Sequence, residues 1–152
     1  MLYLLAVVIG IVAGLRAMVA PAAIAWAAHC GYLHLQGTWL AFLGYRWTPW
    51  ILTIAAIGEI VNDKLPATPS RKVPPQFGAR VVSGALCGAA IGIAGGWWIV
   101  GAVLGAIGAV LGTLGGSAAR TMMAGTFGKD LPAALIEDIF AVAVAGFVIH
   151  SL

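Results

Sequence analysis

Residues 80–120 read RVVSGALCGAAIGIAGGWWIVGAVLGAIGAVLGTLGGSAAR, and the 39 positions between the two arginines carry no charged side chain. An α-helix rises 1.5 Å per residue, so crossing a hydrocarbon core of about 30 Å takes roughly 20 apolar residues. The stretch is therefore two crossings long. Gly95-Gly96 followed by Trp97-Trp98 supplies a tight turn at the interface, where amphipathic indoles settle. Within the first half, Gly84, Gly88, Gly92 and Gly96 recur every four residues and so share one stripe of a helix. Gly101, Gly105, Gly108, Gly112 and Gly116 give the second half a similar small-residue face, and Gly10 with Gly14 gives a shorter one near the start. Each glycine costs about 1 kcal/mol of helix propensity relative to alanine. A series of them implies a compensating close approach of backbones, as in small-xxx-small interfaces. Packing between helices of one chain and self-association both satisfy that requirement.

The whole composition agrees. Of 152 residues, 62% are hydrophobic and only 9% charged, against about 25% charged in soluble domains, so a soluble fold of this size could not cover its surface. The mean hydropathy is +1.03. The net charge of +3 comes from Lys and Arg near predicted membrane ends, which reports topology rather than a nucleic-acid partner. Cys30 and Cys87 are too few for a disulfide framework or a metal ribbon. The reading is a single all-α transmembrane domain, a polytopic bundle of about five spans with glycine-rich, close-packed helices.

Working outward, the first apolar run, 2–28, lacks the basic start of a signal peptide and reads as a retained span. Arg16 near its middle and Pro21 five residues on predict a kinked or broken helix. The connector from His29 to Arg46 is mixed and interfacial. Trp47 and Trp50, on either side of Pro49, open a second span, 47–63, with Glu59 about one turn inside its end and Asp63-Lys64 at the exit. The segment 65–77, with Pro66, Pro69, Pro74 and Pro75, reads as a fixed, extended loop. Spans 79–95 and 97–118 follow from the opening stretch, and Pro132 marks the first turn of a fifth, 131–150. Lys64, Arg71, Lys72 and Arg80 flank one connection, and Arg120 and Lys129 flank another. The positive-inside rule places both connections in the cytoplasm, and five spans then put the amino terminus there too.

Ionisable groups within apolar sequence cost about 2.5 to 3.5 kcal/mol each on insertion scales and face a bundle interior or a water-filled cavity. That selects Arg16, Glu59, Asp63, Arg80, Arg120, Glu137 and Asp138 as the candidate substrate- or ion-binding residues. All except Arg16 fall in the cytoplasmic third. Arg16 is expected to pair with Glu59 or Glu137. Asp138 lies about 100° around the helix from Glu137, which favours Glu137 as the inward carboxylate. As ion pairs these groups would hold the helices together; as an open vestibule they would bind a cation or carry protons. Thr68, Ser70, Arg71 and Lys72 could hold a lipid headgroup through hydroxyls and cations, or form a solvated, topology-setting turn. No nucleophile elbow, phosphate-cradling loop or spaced metal-ligand set is present; no catalytic residue, metal site or cofactor is assigned.

Three stretches together resemble a family of small bacterial membrane proteins classed as a domain of unknown function. They are Gly14-Leu15-Arg16-Ala17 with Pro21, the run from Gly58 through Glu59, Asp63-Lys64-Leu65-Pro66 and Thr68-Pro69-Ser70-Arg71 to Arg80-Val81-Val82-Ser83-Gly84-Ala85, and Leu135-Ile136-Glu137-Asp138. The resemblance implies a multi-pass helical protein of the bacterial inner membrane and supplies no activity. The expected function is a small channel or transporter, a homo-oligomer among membrane lipids, with carboxylates contacting a cation or proton. A structural membrane protein with ion-pair glue and a lipid-headgroup-acting enzyme using Asp63 and the Thr68–Lys72 loop are the alternatives.

Overall fold

The computed structural model describes residues 1–65 and 72–152; Thr68, Ser70 and Arg71 lie outside the described residues. The architecture is all-helical: α1 Leu2–Leu15, α2 Val19–His29, α3 Thr48–Asn62, α4 Pro74–Ala94, α5 Trp98–Phe127 and α6 Asp130–Ser151, with a 3₁₀ turn at Ala41–Gly44. Three of these, α4, α5 and α6, are long and apolar enough to cross a membrane, which corrects the expectation of five. The shortfall has two sources. The run 2–28 breaks at Arg16 into helices of 14 and 11 residues, about 21 and 17 Å long. Helix α3 has 15 residues, about 23 Å.

Two other boundaries move. Pro74 and Pro75, expected in the loop, form the first turn of α4, where a missing N–H costs nothing and the fixed φ suits the helix. Helix α5 continues past position 118 to Phe127 because nothing stops it before Gly128, which takes a left-handed φ of 69° and ends the helix. Its 30 residues reach about 45 Å, and Arg120 lies in the last third of that length.

Glycines bring α1, α4 and α5 into backbone contact. A methyl group added at Gly88 would overlap the Gly101 carbonyl and lie 2.8 Å from the Gly105 Cα; at Gly84 it would meet the Ala109 Cβ at 2.6 Å. From α1, a methyl at Gly10 would strike the same Gly105, and one at Gly14 would lie 2.6 Å from the Thr113 nitrogen. The glycine faces are thus used between helices of the same chain.

The directions of the helices follow from a few contacts. The Tyr3 hydroxyl donates to the Gly95 carbonyl at 3.1 Å, so α1 begins where α4 ends. The Trp39 and Trp98 rings are 5.6 Å apart, which returns the segment after α2 to that same end. The Trp26 indole donates to the Thr53 hydroxyl at 3.0 Å, and its ring lies 5.0 Å from that of Trp50, setting the last turns of α2 beside the first turns of α3. Residues 2–29 therefore form a hairpin that enters the bundle, turns at Arg16 and comes back, while α3 to α6 run alternately between the two ends.

Candidate functional site

The apex of the hairpin is built from backbone groups that a continuous helix would have paired. Arg16 takes an extended conformation, φ −140° and ψ 107°. Pro21 has no N–H to offer the carbonyl four residues back, at Ala17, and its ring would clash there. The Ser83 hydroxyl supplies the missing donor to the Ala17 oxygen at 2.5 Å. Arg80 Nη1 donates to the Gly14 and Leu15 carbonyls at 2.8 and 2.7 Å, and the Thr113 hydroxyl lies 3.2 Å from the Gly14 oxygen. On the other side of the break, the free N–H groups of Ala17 and Met18 donate to the two Glu59 oxygens at 2.9 and 2.8 Å. A cation therefore caps the negative end of α1 and a carboxylate the positive end of α2, as the helix dipoles require. Arg80 Nη2 is 3.7 Å from Glu59 Oε1, so the two caps are also joined to each other.

Arg16 itself is fully buried. Its Nε donates to Asp138 Oδ1 at 2.6 Å, its Nη2 contacts the same oxygen, and its Nη1 is 2.7 Å from Asp63 Oδ2. Glu137 Oε2 is farther from Nη2, at 3.9 Å. Of the two expected partners Glu137 is thus present, although its contact is longer than those of Asp63 and Asp138, while Glu59 caps α2 instead. The extended conformation at position 16 carries the guanidinium away from the α2 terminus that Glu59 caps and toward α3 and α6. Its planar fork is wide enough to reach both Glu137 and Asp138, although they point about 100° apart on their helix. Asp138, rather than Glu137, makes the short contact.

Arg120 extends the network to the bundle end. Its Nε and Nη2 form a forked pair with the two Asp130 oxygens at 2.9 and 2.6 Å, while Nη1 is 2.6 Å from Asp63 Oδ2 and 3.5 Å from Glu137 Oε2. Lys64 Nζ lies 2.5 Å from Asp138 Oδ2. All five acidic residues of the sequence are thus gathered with Arg16, Lys64, Arg80 and Arg120. Exposure rises toward the end that carries the basic connections: the Arg16 side chain is 0% exposed, Asp63 and Arg120 14%, and Asp130 62%.

Each of the seven charged candidates read from the sequence belongs to this assembly. Lys64, marked in the sequence by the resemblance alone, joins it as well; sequence reasoning missed Asp130, Ser83 and Thr113 as members. Ser83 was findable, because it follows Arg80 by three residues and so shares its helix face. Of the headgroup-binding candidates, Lys72 is described and exposed. Among the described residues no three His, Cys, Asp or Glu side chains are grouped to hold a metal ion; the carboxylates meet cations of the chain itself.

Comparison with curated proteins and with solved structures matched none of either. One family model matches residues 3–151, and the chain therefore belongs to the family described as Domain of unknown function (DUF4126).

Proposed function

We propose that this protein is a small transporter of the bacterial inner membrane that moves an ion or small solute through the polar assembly around Arg16. One observation carries the reading: a helical hairpin reverses inside the bundle and sets irregular backbone beside a fully buried arginine. Non-helical backbone at membrane depth is tolerated only inside protein or along a water-filled cavity, and discontinuous helices with charged termini frame the sites of many secondary transporters. The graded exposure from Arg16 to Asp130 supports access from the end with the basic connections. The positive-inside rule makes that end cytoplasmic. Tyr3 and the segment 30–47 belong to the opposite end, so the reading now favours an external start of α1, and α3 becomes a fourth, short crossing. Homo-oligomerisation would use the lipid-facing sides of α5 and α6, since the glycine faces are occupied within the chain.

The same hydrogen bonds favour a second reading, in which the assembly is structural: both helix ends at the apex are capped, and every carboxylate meets a cation. Flux through purified protein in liposomes decides, using protons, alkali cations, halides and small organic ions with Glu137→Gln and Asp138→Asn as controls. Selective flux that both variants lose, while remaining folded, supports transport. Absence of flux from folded, inserted protein, with both variants unstable, gives the structural reading.

A further inference from the structure

The transport reading leaves the substrate open, and a cavity beside the charged assembly narrows it. Helices α1, α5 and α6 border an open-sided cavity of about 380 Å³ lined by Ile11, Leu15, Leu111 and Phe140 among others, with Gly115 and Gly116 leaving room on the α5 side. Sites for small organic ligands have this character, apolar with few convergent polar groups, and begin at about 300 Å³. Leu111 and Phe140 are more than half exposed, at 56% and 55%, so the mouth faces the lipid rather than either end of the bundle.

Among the described residues one ionisable side chain lines the cavity, Glu137, and it is 5% exposed. Arg16 and Arg120 approach its carboxylate from outside the cavity, at 3.9 and 3.5 Å, while making shorter contacts to Asp63, Asp138 and Asp130. An apolar chamber open to the bilayer and ending on a carboxylate complements a molecule with an apolar body and a positive charge. An anion would meet Glu137 before either arginine, and a hydrophilic cation would lose its hydration in the apolar part without recompense. A cation whose charge is spread over a hydrophobic body avoids that cost and already partitions into lipid.

We propose that the α1–α5–α6 cavity binds a hydrophobic cation, an amine or onium ion, that enters sideways from the bilayer and sets its charge against Glu137. This names the substrate class of the transport reading and rests on it. A Cβ at Gly115 would meet nothing within 4 Å, so Gly115→Leu fills the cavity without a backbone clash.

The test is equilibrium binding of tetraphenylphosphonium to the protein in lipid nanodiscs, with empty nanodiscs subtracted and tetraphenylborate, the same four rings with the opposite charge, as comparison. Saturable binding of the cation at least tenfold tighter than of the borate is expected, weakened at least tenfold by Glu137→Gln and by Gly115→Leu. Equal binding of the borate, or an unchanged affinity in Glu137→Gln, overturns the proposal and leaves a groove that lipid chains fill. If Glu137→Gln fails to fold, the borate comparison and Gly115→Leu still decide. Charge-selective binding without flux retains the site and removes the transport reading; flux of a hydrophilic ion without cation binding does the reverse.

Discussion

Pro21 and Ser83 are coupled through one carbonyl, and the coupling can be measured. The Ser83 hydroxyl is the donor to the Ala17 oxygen, at 2.5 Å, and Ser83 and Ala17 are 5% and 8% exposed. Ser83→Ala leaves that oxygen without this donor in an apolar setting, a loss of about 1 to 3 kcal/mol. Pro21→Ala restores an N–H four residues beyond Ala17, where an added turn of α2 delivers it to the same carbonyl. In the Pro21→Ala background the cost of Ser83→Ala should therefore fall to about 1 kcal/mol or less, giving a coupling energy of roughly 1 to 2 kcal/mol in a double-mutant cycle. The cycle subtracts whatever Pro21→Ala does by itself. The assay is reversible unfolding in mixed micelles followed by tryptophan fluorescence, for which Trp26 on α2 is a local reporter. An identical Ser83→Ala cost in both backgrounds would refute the idea that the missing proline donor makes Ser83 necessary.

Arg16→Met should cost about 3 to 5 kcal/mol, because it takes from buried Asp138 and half-buried Asp63 the cation they share; the same unfolding assay checks it, and a loss under 1 kcal/mol contradicts the buried pairing. Gly88→Ala forces a methyl against the Gly101 carbonyl and should destabilise by about 1 to 3 kcal/mol, whereas Gly125→Ala, with open space around it, should stabilise by up to about 1 kcal/mol. Comparable effects at the two positions would mean that α4 and α5 do not touch as described. In a Cys87→Ser background, exposed Cys30 should react with a membrane-impermeant maleimide from the outside of intact cells, while a cysteine replacing Lys129 should react only after lysis. Labelling of both from one side removes the proposed topology.

The glycine stripes and the charged positions were legible because each is anomalous in apolar sequence: a glycine or an arginine there needs a local compensation that can be inferred without coordinates. Arg16 followed by Pro21 likewise announced a break. The return of α2 was not legible. A kinked helix and a re-entrant hairpin share the same apolar run, and what separates them is where Ala17 and Met18 find acceptors, on Glu59 some 40 positions away. That choice, once missed, propagated to the number of crossings. The shorter contacts of Arg16, to Asp63 and Asp138, were not legible for a related reason. Angular separation on α6 favours Glu137 over Asp138 as the inward carboxylate, but a guanidinium at a helix break is a wide, planar target that two adjacent carboxylates can reach.

The short first arm of the hairpin has a consequence for biogenesis. Helix α1 has 14 residues, about 21 Å, too few to be handed to the bilayer as an independent span. Its glycines seat against Gly105, Ala109 and Thr113, which are synthesised about a hundred residues later, and Arg16 finds its carboxylates at positions 63 and 138. The seat of α1 is therefore complete only once α4, α5 and α6 have been made. A chain cut short before α5 would lack the surface that seats Gly10 and Gly14 and would leave the start of the hairpin without its packing partner.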